Sequence, residues 1–310
     1  MGIEVVTTSW SEPAHAVPWA GVGEHDIAIV HWEQGVMDAF PRALDSCGRA
    51  VLTLHGAPQA MTRWFAPPTP AIARRTLERA VAEPHAVALV RGEAHRRKVA
   101  ASYAVPPEGL RILPVSVPLA TLPFRAAATE PSEVLAMTRL AAEKAAIVRV
   151  AVELVHERLK SDQPCRLTIA GDGRWRTEAI ALCERRLPRD AWRIEGAPPD
   201  PIARLAAADL VVAQGTTALE AAALGCRVVV ARSLGTHGAS GAVLTPDGYD
   251  QAARDPFGDP RVTEDAAQLW DELLGLDETD LSALRGLVES HNSPEVASQA
   301  LGEALATTGA

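Results

Sequence analysis

Short apolar runs, many of them β-branched, alternate along this chain with longer stretches whose apolar positions recur every three or four residues. The first pattern predicts strands at Ile3–Thr7, Asp26–His31, Ala50–Leu54, Ala86–Val90 and Arg111–Val115. A second set follows at Glu133–Met137, Cys165–Ala170, Trp192–Glu195, Asp209–Val212 and Arg227–Val230. The clearest helix begins after Lys144. Val148, Val152, Val155 and Leu159 share one face, and Arg149, Glu153, His156, Glu157 and Lys160 the other. Strands and helices in alternation predict an α/β chain with mostly parallel sheets.

Thr121–Ser132, which reads TLPFRAAATEPS, has prolines and small residues but no apolar period. It is read as the link between a first domain, 1–126, and a second, 127–292. The stretch 232–262 is rich in Gly and Asp and reads as a long loop, functional or mobile. Helical periodicity resumes near Glu264. Ser293 and Glu295 mark the start of a final capped helix in 293–310, placed to pack back on the first domain.

Charge and cysteine content narrow the function classes. Thirty basic against 39 acidic residues give a net charge of −9, which excludes general nucleic-acid binding, a process that depends on neutralising phosphates. No apolar run approaches the roughly 18 residues of a membrane span. Met1–Trp10 carries Glu4 and no Lys or Arg, unlike a signal peptide, so a cytoplasmic location is expected. Cys47, Cys165, Cys183 and Cys226 form no CxxC pair and read as reduced thiols, not as a disulfide framework or zinc site. His95-Arg96-Arg97-Lys98 reads as a solvated helix face, with peripheral membrane contact as the sharper alternative.

Three segments of the second domain carry candidate chemistry. In Met137-Thr-Arg139-Leu-Ala-Ala-Glu143-Lys144, two cations flank a strand-to-helix loop, where open α/β sheets bind ligands. Only Lys98, Lys144 and Lys160 are lysines, so a lysine here is mildly informative. In Ile169-Ala-Gly171-Asp172-Gly173-Arg174, the glycines permit either an ordinary tight turn or a close backbone approach to a ligand. In Asp209 to Val230, a strand leads through Gly215-Thr216-Thr217 into a helix that ends at Gly225. Free amides at that helix start suit an anion, and Glu220, one turn in, suits two hydroxyls such as those of a ribose. Taken alone, Glu220 is also an ordinary first-turn acid.

Taken in order, TRLAAEK, TIAGDGRWR, AADLVV and GTTALEAAALGCRVVV resemble the donor half of GT-B glycosyltransferases, most of all the retaining family 4 type. The resemblance extends backward through AspIleAlaIleValHis31, ValLeuThrLeuHis55Gly56 and the segment from AlaLeuValArg91Gly to ArgIleLeuPro114. It implies two Rossmann-like domains facing a cleft, the first abridged. It also implies transfer of a sugar, with retention, from a nucleotide-diphosphate donor to an unidentified acceptor. Arg139 and Lys144 match the pair that holds the diphosphate as it leaves. Gly215, Thr216 and Thr217 match the phosphate-binding loop, Glu220 the ribose glutamate, and His55 a cleft histidine that contacts the donor sugar. Gly171 and Gly173 fall in the donor-side loop. No cofactor is implied, and no metal, in keeping with the lack of an Asp-x-Asp motif.

Two departures bear on activity. The family's first strand, Gly-rich loop and helix have no counterpart before Ile3–Thr7. Where the family has a glutamate eight residues before the ribose glutamate, this chain has Val212, which accepts no hydroxyl hydrogen bond, so that either Gln214 substitutes, sugar recognition has changed or catalysis is impaired. A non-catalytic GT-B-like nucleotide-binding or partner protein is therefore the second reading.

Overall fold

The computed structural model describes residues 27–32, 39–54, 70–119, 122–125, 127, 130–234, 238–249 and 265–307. The expected strand Ile3–Thr7 and His55 lie outside them. The chain forms two compact units, 1–114 with 298–310, and 115–297.

In the first unit, β1 (Ile27–Trp32), β2 (Arg49–Leu54), β3 (Ala86–Val90) and β4 (Leu110–Ile112) make a parallel sheet in that order. The connections contain α1 (Ala39–Ser46), α2 (Pro70–Ala82) and α3 (Glu93–Tyr103). Burial on both faces explains the apolar runs at 50–52 in β2 and 86–90 in β3. Leu52 and Ala88 join Phe40, Leu77 and Val99 in one core, while Val51, Val87 and Leu89 face another cluster. Strand β4 is shorter than the expected Arg111–Val115. Leu113 N–H still reaches Val90 O, but Pro114 has no N–H with which to continue. The basic run at 95–98 does not form one solvated face. His95 is buried, its Nδ1 accepting Arg91 N–H at 3.2 Å, while Arg97 and Lys98 are exposed.

The second unit is built on β5 (Glu133–Met137), β6 (Arg166–Ala170), β7 (Trp192–Glu195), β8 (Leu210–Ala213), β9 (Arg227–Leu234) and β10 (Gly238–Val243). Their order is β10-β9-β8-β5-β6-β7, parallel except for β10. Strand β10 lies inside the stretch expected to be a loop. Folding back antiparallel, it gives the end of β9 a partner and carries β9 past the expected Val230 to Leu234. Gly241 is tolerated in the strand because a Cβ there would lie 2.8 Å from a Val229 methyl, so packing and not turning requires the glycine.

Helix α4 (Ala145–Lys160) lies across this sheet. It buries the expected face at Val148, Val152 and Val155, and also Ile147, Ala151 and Leu154. The wider burial arises because α5 (Arg176–Arg186) and α8 (Ala266–Gly275) pack on it as well. Between them in sequence lie α6 (Pro201–Ala206) and α7 (Thr216–Leu224). Trp270 of α8 donates its indole N–H to Leu154 O at 2.9 Å. Arg227, only 2% exposed, caps the end of α8 by donating to Leu273 O at 2.9 Å and Leu276 O at 2.8 Å. Helix α9 (Glu278–Asn292) opens with a capping box between Asp277 and Asp280. Helix α10 (Pro294–Ala306) starts where Ser293 Oγ accepts Val296 N–H at 3.4 Å, and its Leu301, Ala304 and Leu305 join the Val51–Leu89 cluster.

Candidate functional site

Strand β5 is the reversal point of the second sheet. The chain runs from it outward to β6 and β7, then returns to place β8 on its other side. Loops leaving β5 and β8 therefore diverge at the same sheet edge and leave a crevice between them. The loop after β5 carries Arg139 and ends in a short 3-10 turn, Ala142–Lys144. The loop after β8 carries Gln214 and Gly215.

These two loops are joined by one side-chain bond: Lys144 Nζ donates to Gln214 Oε1 at 3.2 Å. Gln214 Nε2 in turn donates to Ala231 O of β9 at 2.6 Å. Burial pulls the Lys144 pKa below its usual value. Glu143 acts against that shift and Arg139 adds to it. Arg139 is largely exposed and pairs with Glu143 at 2.7 Å. Glu143 was not singled out from the sequence, although its place four residues after Arg139 is a recognisable pairing distance.

Gly215 caps α7 with φ +61°, and nothing stands within 4 Å of where its Cβ would be. Among the described residues, the N–H groups of Gly215, Thr216 and Thr217 have no protein acceptor. They are the unsatisfied donors at the positive end of a helix dipole. Glu220 lies one turn inward and half-buried. Burial raises its pKa, and among the described residues its carboxylate has no hydrogen-bond or ion-pair partner. The helix is held from its far end. Gly225 adopts φ +91°, and Arg125 N–H bonds Leu224 O at 3.0 Å. A Cβ on Gly225 would lie 2.4 Å from Arg125 O.

Gly171 and Gly173, with φ +148° and +150°, follow β6. Their close backbone approach is to the loop after β5: a Cβ on Gly171 would lie 1.9 Å from Thr138 O, and one on Gly173 2.1 Å from Leu140 O. Backbone bonds from Thr138 N to Ala170 O (3.0 Å), Leu140 N to Asp172 O (2.8 Å) and Trp175 N to Leu140 O (3.0 Å) complete a clasp. The two glycines therefore shape the loop that presents Arg139.

Val212 is fully buried in β8, paired with Ala136 and Val229. Among the described residues no three His, Cys, Asp or Glu side chains are set to hold a metal. A cavity of about 510 Å³ elsewhere in this unit is bounded by Arg149, Glu153, Trp175, Arg185 and β10, and none of the expected site residues lines it. Among the described residues no helix is long and apolar enough to cross a membrane.

Solved structures similar to this chain carry the same architecture. S. aureus TarM in complex with fondaparinux, α-GlcNAc-glycerol and UDP is 17% identical with a TM-score of 0.64, over 92% of this chain and 56% of TarM. The chain thus spans little more than half of TarM's length. Anabaena HepE in complex with UDP-glucose is 14% identical (TM-score 0.64) over 90% of this chain and 78% of HepE. Sucrose-phosphate synthase from Thermosynechococcus elongatus is 15% identical (TM-score 0.61) over 89% and 72%. The class defined by fold and comparison is α/β with two Rossmann-like units, the fold of GT-B glycosyltransferases. No protein-family model and no curated protein matches the chain.

Proposed function

We propose that this chain is a glycosyltransferase that moves a sugar from a nucleotide-diphosphate donor to an acceptor hydroxyl, with retention and with no metal in the site. The carrying observation is that the β5–β8 crevice brings together Lys144, the N–H groups of 215–217 and the carboxylate of Glu220, the latter two without a partner among the described residues. A diphosphate supplies acceptors to the first two, and ribose hydroxyls supply donors to the third.

In this reading Arg139 and Lys144 hold the diphosphate. Arg139 exchanges its surface pair with Glu143 for phosphate oxygens. As the bond from the sugar's anomeric carbon to the diphosphate oxygen breaks, negative charge grows on that oxygen. Lys144 and the α7 amides, already oriented there, stabilise it, joined by Arg139 once that side chain has left Glu143. The acceptor oxygen bonds the anomeric carbon on the same face, and its proton passes to the departing phosphate oxygen. The family resemblance assigns His55 to the donor sugar. Gly171 and Gly173 serve the donor by fixing the Arg139 loop.

Calorimetric titration of UDP, GDP and ADP into the full chain tests the assignment. At least one binds, and Arg139→Ala and Lys144→Ala weaken it. If no nucleoside diphosphate binds, the donor site is wrongly placed. The second reading, a nucleotide-binding protein without turnover, is favoured by Val212, whose apolar side chain offers the sugar no hydrogen bond. Binding without donor hydrolysis or transfer across a panel of nucleotide sugars selects it.

A further inference from the structure

We infer that Gln214 is the positioning residue of the diphosphate subsite: its neutral amide fixes Lys144 between two loops and leaves the ammonium charge free to act on an anion. This rests on the donor-site reading above, and it assigns a role to a residue that the family resemblance does not.

Gln214 meets two groups with opposite demands. Lys144 Nζ offers only donors, and Ala231 O only accepts. A carboxamide can answer both at once. The orientation is set by chemistry: with the amide turned over, its NH₂ would face the ammonium and its oxygen the carbonyl, and both contacts would repel. One side chain thereby ties the β8 loop to the Ala142–Lys144 turn and to β9. The alternative partner for a half-buried lysine is a carboxylate, which would hold it equally well and cancel its charge. The neighbouring acid, Glu143, is engaged with Arg139 at 2.7 Å, and Arg139 itself repels Lys144. Among the described residues no carboxylate bonds Lys144. The amide therefore orders the cation without spending its charge, as preorganised stabilisation of an anion requires.

The test uses the full chain with its lysines labelled at Cε. Only Lys98, Lys144 and Lys160 give signals, assigned with Lys98→Arg and Lys160→Arg. Each signal is followed through a pH titration in wild type, Gln214→Glu, Gln214→Leu and Gln214→Asn, with thermal melting as the check on folding. Pyrophosphate and UDP are then titrated into each. Gln214→Glu is expected to raise the pH at which Lys144 titrates and leave Lys98 and Lys160 unmoved. It weakens pyrophosphate and UDP about tenfold or more. Gln214→Leu is expected to shift the Lys144 signal and weaken both anions by a smaller factor. Gln214→Asn, which keeps the amide, falls between Gln214→Leu and wild type.

A Lys144 titration unmoved by both Glu and Leu overturns the inference. So does pyrophosphate binding that is the same in all four proteins, or absent in wild type. If wild type binds pyrophosphate but no nucleoside diphosphate, the donor reading fails while the Gln214 inference stands on its own result.

Discussion

The second unit holds two clusters of partly buried charge on one sheet, and they are built on opposite rules. Around Glu133, every charge is answered. Glu133 accepts from Thr168 Oγ1 and pairs with Arg204 at 2.9 Å and Arg193 at 3.3 Å. Glu195 takes the same two arginines, at 3.4 and 3.1 Å. Around the β5–β8 crevice, Lys144 has an amide where it would take a carboxylate and, among the described residues, Glu220 has no partner and three N–H groups have no acceptor. A cluster kept only for stability is closed, since an unpaired buried charge costs more than a paired one gains. The crevice carries that cost, which the proposed nucleoside diphosphate would offset.

The clasp under the crevice is the most sensitive point of the second unit. Gly171→Ala places a Cβ 1.9 Å from Thr138 O at a φ of +148°, so the β5 loop must move. The expected loss is about 3 kcal/mol or more of unfolding free energy, together with nucleotide binding. Urea unfolding that matches wild type would show the loop to be independent of the glycine.

Next in size is the divergence between the two clusters. Lys144→Ala is expected to weaken nucleoside diphosphate about 100-fold, the scale of a charge-assisted contact, with no fall in melting temperature, since a desolvated ammonium is removed. Arg204→Ala is expected to do the reverse. Its side chain is 16% exposed and serves two acids. Its loss costs about 1–2 kcal/mol of stability, discounted because those acids are partly in water, and leaves nucleotide affinity unchanged. Binding loss in Arg204→Ala, or unfolding of Lys144→Ala, would erase the distinction.

How much of this was legible in the sequence follows from which forces act locally. β3, β5 and β7 stand at their expected residues because apolar runs bounded by turns are local signals, and α4 because its period is. β10 was hidden because its glycines read as breakers. The reason for Gly241 is non-local: Val229, Leu269 and Val150 leave it no room. In the site, motif order led to Arg139, Lys144 and the Gly215–Thr217 turn. The sequence offers Gln214 only as a substitute beside Val212. Its bridge to Lys144, 70 positions away, and to Ala231 exists only once β5, β8 and β9 lie side by side. The glycines at 171 and 173 allowed two meanings, and only the carbonyls of Thr138 and Leu140 distinguish them.

Glu133 and Glu220 respond to pH with opposite sign. Burial pushes Glu133 upward, but the Thr168 hydrogen bond and the charges of Arg204 and Arg193 outweigh it and leave its pKa below the usual 4.5. Its folded state therefore binds protons less readily than the unfolded chain. The stability it adds is present above the unfolded pKa and is lost as pH falls through the lowered value. Glu220 is raised from 4.5 by burial alone. Its ionised form costs stability at neutral pH, and the cost disappears as pH falls through the raised value. Glu220→Gln should then be more stable than wild type at pH 7, with the gain fading before pH 4.5 is reached. Glu133→Gln should be less stable at pH 7, with the deficit closing only below pH 4.5. Unfolding free energies of the three proteins across pH 3–8 read both windows, and a Glu220→Gln deficit at pH 7 would mean that the carboxylate already has a partner and that the crevice is closed like the other cluster.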